Sequence, residues 1–374
     1  MSVAINGTNG ITFNDGTVQP SAAINKNLII NGDMRIAQRA TSKTGIVAAG
    51  FYDIDRVFYT ENTVGGSFDS AQSTDVPSGQ GFVNSHKWSV NTTATALTTT
   101  GWAKLRHVVE GLNSAHLEWG TANAKTVTLS FWVKSSVTGT YCISINNDDF
   151  DRCYIAEYTI DTANTWEKKT ITIEGDTSGT WKTDNDRGIV VSWVLDAGED
   201  RKTTADSWQS GADFATSNQV SWISNAGATF YRTGLQLEVG TSVTDFEHLQ
   251  YGQQLALCQR YYYLVDDRNG ASNQVIGVGF MYDTTRARLF VTFPTTMRNL
   301  PSVDSTNIAS SIEFNVNSLS IFGPSFSLPF GTAGNTIGAM VQITADSGSG
   351  TAGQARYVRY RTTYGAKLAF DAEL

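Results

Sequence analysis

The stretch Val127-Thr-Leu-Ser-Phe-Trp-Val133 decides the fold. Val127, Leu129, Phe131 and Val133 occupy every second position, with Thr128, Ser130 and Trp132 between them. Side chains alternate sides along an extended chain, so this spacing predicts a strand with one apolar face. The rhythm returns at Ile171 and Ile173, set among Thr170, Thr172 and Glu174. It returns again at Leu235, Leu237 and Val239, separated by Gln236 and Glu238, and such strands should turn their polar positions to water. Ile189-Val-Val-Ser-Trp-Val-Leu195 is almost wholly apolar, as a strand covered on both faces is. Trp132 and Trp193, inside these strands, are expected in the core. Several short strands at this spacing, separated by Gly, Ser, Thr, Asn and Asp, predict a β-sandwich.

Composition narrows the class. A chain of 374 residues is long enough for two or three domains. Charged residues make up 17% and aromatics 11%, which describes a globular protein rather than a disordered one. No apolar run approaches the roughly 18 residues of a spanning helix, so no membrane insertion is expected. Met1–Pro20 lacks the basic and apolar regions of a secretory signal. A net charge of −8, with no basic run longer than a pair such as Lys168-Lys169, argues against a nucleic-acid partner. Cys142, Cys153 and Cys258 are too few and too scattered for a disulfide framework or zinc site, and read as buried free thiols. That count fits assembly in a reducing cytoplasm.

Four segments follow. Residues 1–24 carry the turn dipeptides Asn6-Gly7, Asn9-Gly10 and Asp15-Gly16 around Ile11, Phe13 and Val18, and read as a β-arm too small to hold a core. Residues 25–249 form the sandwich. Residues 250–266 form a linker helix, and residues 267–374 a second β-domain, where Leu289, Val291 and Phe293 alternate, as do Ile312, Phe314 and Val316, then Val341 and Ile343. Ser347–Gly353 reads as a flexible loop and Tyr364–Leu374 as a closing strand. All nine tryptophans lie between Trp88 and Trp222, whereas Pro294, Pro301, Pro324 and Pro329 fall in the last third, which suggests two separately built cores. In the linker, Tyr251, Leu255, Cys258, Tyr262 and Val265 are spaced 4, 3, 4, 3. That rhythm fits either an amphipathic helix lying on its own sandwich or a short parallel bundle at a threefold axis.

Catalytic signatures are missing. His86, His107, His116 and His248 show no metal spacing, and no nucleophile elbow or phosphate loop occurs. No cofactor is expected. Asn146-Asn-Asp-Asp-Phe-Asp151 is dense in oxygen ligands for a cation such as Ca²⁺, but it lacks the EF-hand spacing and reads as a turn. A glycosidase carboxylate pair is set by spatial separation, so sequence alone cannot reveal one. Trp181 and Trp208 stand in polar, Gly/Thr/Asp-rich surroundings and are the candidates for stacking on a sugar, against packing at the core's rim.

The segments resemble a family of bacteriophage tail-fibre proteins. Asn9–Gln19 resembles the short adaptor hairpin that begins many of them. Asn27-Leu-Ile-Ile-Asn-Gly-Asp-Met-Arg-Ile-Ala-Gln-Arg39 with Tyr52–Val57, Thr165–Trp181 and Thr233–Gly240 with Asp245-Phe-Glu247 resemble their carbohydrate-binding-module-like jelly roll. Tyr251–Tyr263 resembles the linker that follows; Thr285–Arg298 and Asp371-Ala-Glu-Leu374 resemble the distal domain. The resemblance implies an all-β homotrimer attached to the virion through residues 1–24, with a distal domain facing a glycan or protein on the host. It carries over no defined binding residues, and it places Trp166 and Trp181 in the jelly-roll framework. The expected function is structural, host attachment by a non-enzymatic virion protein that becomes extracellular on lysis. A polysaccharide depolymerase tailspike would be expected to show a solenoid repeat, which the sequence lacks. A head fibre or baseplate decoration shares the same plan.

Overall fold

The computed structural model describes residues 4–6, 10–12, 18–19, 26–62, 65–94, 97–265, 275–304, 312–316, 319–322, 325–327, 334–344, 351–360 and 368–374. At the start, β1 (Ala4–Asn6), β2 (Gly10–Thr12) and β3 (Val18–Gln19) form a three-stranded antiparallel sheet, with Ile5 opposite Ile11. The turns holding Gly7, Asn9, Phe13, Asp15 and Gly16 lie outside the described residues.

The alternating stretches become the sandwich. Its first sheet runs β14 (Trp208–Ser210), β11 (Arg152–Ile160), β10 (Gly139–Asn146), β13 (Arg187–Ala197), β8 (Trp102–Glu110), β5 (Phe58–Asn62). Its second runs β12 (Glu167–Ile173), β9 (Val127–Ser135), β15 (Thr229–Val239), β7 (Ser85–Thr92), β6 (Ser67–Ser73), β4 (Ser42–Ile46). Most connections cross from one sheet to the other, so strands distant in sequence pair, as β13 does with β8. Leu105, Phe131, Ile143, Trp193, Phe230 and Leu237 meet between the sheets with no exposed surface. β13 is covered on both faces, as its composition predicts.

Polar groups also enter this core. Trp88 Nε1 donates to His86 Nε2 at 2.6 Å, and the Ser70 hydroxyl bonds Asp53 at 2.6 Å. Burial holds His86 below the usual histidine range, outweighing the nearby Asp53, which pulls it up; His107 is pushed further down by burial and by Arg232. The three cysteines are buried free thiols. Asn146–Asp151 ends β10 and forms the β10–β11 turn, where the Asn147 side-chain Oδ1 accepts from the backbone amides of Asp151 and Arg152.

Three expectations change. Gln236 and Glu238 do not face water, because residues 241–249 fold back over them: Thr244 N donates to Glu238 and Glu247 N to Gln236, both at 2.9 Å. Trp132 alternates away from the core with Ser130 and is half-buried. The linker helix does not extend over 250–266. A one-turn helix α1 (Gly111–Ser114) lies earlier, and α2 covers only Tyr251–Gln259, capped by Gln250 and Gln253. The aromatic run Tyr261-Tyr-Tyr263 favours extended backbone, and β16 (Tyr262–Leu264) pairs with β26 (Ala369–Asp371) instead. The heptad of Tyr251, Leu255, Cys258, Tyr262 and Val265 is therefore split between two elements. Cys258 and Tyr262 are buried within their own chain, Tyr251 is 57% exposed, and Val265 packs on the second core.

That second core, Met281, Leu289, Val291, Phe293, Val341 and Phe370 among others, is distinct from the first. It lies against a sheet ordered β21 (Leu319–Phe322), β20 (Ile312–Val316), β25 (Ala355–Tyr360), β17 (Val275–Met281), β18 (Arg286–Thr292), β24 (Gly338–Thr344), β22 (Ser325–Ser327), with β23 (Gly334–Asn335) on β24. β26 also pairs with β19 (Ser302–Asp304). Residues 345–350 of the expected Gly/Ser loop and 361–367 before the closing strand lie outside the described residues. The opposite face of β17 and β18 presents Val278, Phe280 and Phe290 to solvent.

The two parts meet on a charged seam. Glu373 accepts from Arg39 at 3.3 Å and pairs with Arg56, whose other nitrogen bonds the Val108 carbonyl at 2.8 Å. Arg39 also holds Asp371 at 3.0 Å, and Arg298 donates to the Ala372, Asn185 and Glu373 carbonyls. Glu110, fully buried at the end of β8, receives Arg260 and the Tyr261 hydroxyl.

Candidate functional site

The two sequence candidates, Trp181 and Trp208, come together at one end of the sandwich. Trp208 sits on the edge strand β14 opposite Tyr154, and its ring lies 5.3 Å from that tyrosine. Trp181 arrives from the loop between β12 and β13 and stands edge-on to Trp208 at 5.4 Å. A third indole, Trp119, completes the cluster at 4.7 Å from Trp181 and 5.3 Å from Trp208. Trp119 closes the turn after β8 and was not singled out by sequence. The signal that marks it is its place in the polar run Glu118-Trp-Gly-Thr-Ala-Asn123, the same setting that marks Trp181.

The loops are locked in place. Arg152 meets Asp176 through two bonds of 2.7 Å, and that carboxylate, bonded to it, raises the arginine's pKa. Asp176 also accepts from Ser178 N, and its carbonyl from Gly120 N. Gly120 has φ of +85°, and a Cβ there would stand 2.8 Å from the Gly179 carbonyl, so only glycine lets the Trp119 and Trp181 loops approach. Each indole N–H is spent on its own chain: Trp119 donates to Lys125 O, Trp181 to Ser178 O, Trp208 to Glu174 O. What remains for a ligand is ring surface.

Beside the rings opens a cavity of about 340 Å³. Trp119, Trp181 and Leu117 supply its apolar wall, and Glu118, Asn123, Lys182 and Thr183 its polar rim. Trp208 does not line it but packs behind the other two. An apolar floor ringed by a few donors and acceptors is the build of a small-ligand site. No group of three metal-ligating side chains exists among the described residues.

No family profile and no curated protein matches this chain. Solved structures do. The enzymatically active domain of Bacteriophage CBA120 tailspike protein 4 is 13% identical, over 57% of this chain and 22% of that one, with a TM-score of 0.31. A carbohydrate-binding module of the CBM4 type is 14% identical, over 57% of this chain and 99% of that one, at 0.30. TmCBM61 in complex with beta-1,4-galactotriose is 10% identical, over 57% and 99%, at 0.28. TM-scores of this size support no conclusion about ligand or partner.

Proposed function

We propose that this chain is a non-enzymatic attachment protein of a bacteriophage particle, a tail fibre or tail-tip protein, that binds a host-surface glycan at the tryptophan cluster. The observation that carries the reading is the Trp119–Trp181–Trp208 cluster beside a cavity with a polar rim. Aromatic faces pack on the apolar faces of sugar rings, while rim groups such as Glu118 and Asn123 reach hydroxyls. Trp181→Ala should weaken glycan binding at least tenfold by titration calorimetry with the secondary structure intact. Unchanged binding by that variant ends the reading.

The small arm of residues 1–24 serves virion docking by strand addition. Deleting it should leave a folded protein that no longer enters particles; continued incorporation would refute the arm's role. The homotrimer is proposed to assemble through the distal sheet, whose Val278, Phe280 and Phe290 face solvent, and not through α2. Weak glycan contacts at the tryptophan cluster of each protomer then gain strength through multivalency.

A further inference from the structure

The outward face of the first sheet carries a feature the tryptophan site does not use. On β8, Lys104 and Arg106 point away from the sandwich core, being offset by one from Leu105 and His107. The register places Arg106 opposite Ser192, Ser192 opposite Ser144, and Lys104 opposite Val194. Asn146 follows two residues after Ser144 on the same face. All five are at least nine-tenths buried: Lys104 is 2% exposed, Arg106 9%, and Ser144, Ser192 and Asn146 0%. Lys104 Nζ, Arg106 Nε, both serine hydroxyls and Asn146 Oδ1 nevertheless have no hydrogen-bond partner. Burying such groups unsatisfied is costly, so a contiguous set of five marks a place where something else is meant to bond.

A roof of aromatic side chains covers this face. Phe214, from the segment between β14 and β15, lies 3.0 Å from Lys104 Nζ, ring centroid to nitrogen. Phe150, at the tip of the β10–β11 turn, lies 5.3 Å away and has φ of +56°, a conformation a bulky side chain rarely adopts. Arg106 stacks on Phe58 at 4.6 Å. Gly211 N donates to Asp151 O at 2.9 Å, tying the Phe214 segment to the Phe150 turn.

The charge on this face is positive in an acidic protein. Lys104, Arg106, Arg187 and Arg201 converge there; burial, then Arg106 and Arg201, pull Lys104 well below the ordinary lysine range. Of the nearby carboxylates, Asp148 is engaged by Arg187 and Glu157 by Thr216 and Asn218, while Asp213, beside Phe214, faces Arg201. We propose that this roofed face is a second binding site, distinct from the tryptophan cluster, for the carboxylate-bearing ring of an acidic saccharide. Arg106 and Lys104 take the carboxylate, whose arrival favours the protonated amine, the Ser144 and Ser192 hydroxyls and Asn146 Oδ1 take ring hydroxyls, and the phenyl rings cover the apolar side. Entry requires the Phe150 turn and the Phe214 segment to move aside together.

Titration calorimetry on the full chain with a galacturonate trisaccharide and its carboxyl-reduced counterpart tests this. The wild type should bind the acidic form at least tenfold more tightly, and added salt should narrow the gap. Lys104→Met, which keeps the side chain's bulk and removes a buried amine that has no hydrogen-bond partner, should melt no lower than wild type yet lose that preference. Trp181→Ala should keep the preference, which separates this site from the glycan site proposed above. Equal binding of both trisaccharides by wild type, an undiminished preference in Lys104→Met, or displacement by inorganic phosphate at equal concentration would overturn the assignment.

Discussion

The sandwich and the distal sheet solve the same problem to different extents. In the sandwich, both faces of the first sheet are covered: one by the opposing sheet, the other by the Phe150 and Phe214 roof. In the distal sheet, Leu289 and Val291 are buried while Phe290, between them, is 57% exposed and Val278 69%. Identical alternation therefore means interior on both sides in one region and an open apolar surface in the other. Self-sufficiency is a property of what folds over a sheet, not of the strands in it.

The sharpest way to break this contrast is to truncate one ring in each region. Phe131→Ala, in the sealed core, should cost about 3–5 kcal/mol in chemical denaturation. Phe290→Ala should leave the protomer's stability within about 0.5 kcal/mol but shift its sedimentation toward single chains. Equal costs at the two positions would erase the distinction. Tyr251→Ala, on the exposed side of α2, should change neither stability nor assembly, and a loss of assembly there would restore the helix as the association seam.

The charged seam comes next. Glu373 is buried between Arg39 and Arg56. Glu373→Gln leaves the buried Arg56 guanidinium without a carboxylate and Arg39 with Asp371 alone, at a cost of about 3 kcal/mol. Calorimetry should then resolve separate melting of the two parts where the wild type shows coupled unfolding; a single unchanged transition would mean that the seam contributes nothing.

The smallest effect concerns acid. His86 and His107 have folded-state pKa values below the unfolded value, so the unfolded chain takes up their protons first. Their contribution to stability is full above about pH 6.5 and is lost as pH falls through it, at up to about 1.4 kcal/mol per pH unit for each. Asp55 opposes this lower down, since burial raises it to about 6 and the folded state then binds its proton first. His107→Phe should flatten the stability profile between pH 7 and 6; an unaltered slope would assign the acid sensitivity elsewhere.

Much of this was legible because period-2 alternation is a local signal. Val127–Val133 and Leu289–Val291 each report their own strand and their own inward side, and the apolar run Ile189–Leu195 reports a strand covered on both faces. Local signals fail where a distant segment decides the outcome. Gln236 and Glu238 read as water-facing, yet residues 241–249 fold back over both. The heptad in 251–265 is real as spacing, but Tyr262 finds a strand partner in Asp371, more than a hundred residues on. At the candidate site, composition marked Trp181 and Trp208, while Trp119 joins them only through the approach of the Gly120 and Gly179 turns.

The seam also has a timetable. Arg56 and Glu373 are separated by 317 residues, and Arg39 and Glu373 by 334. At a ribosomal pace of about 5–20 residues per second, Arg56 is translated roughly 15–60 s before its counter-charge exists. During that interval Arg39 and Arg56 wait for an anion still to be translated. Closure of the seam thus registers that synthesis has passed residue 373, and a chain stopped before that point is marked by positive charge where one that includes Glu373 is neutralised.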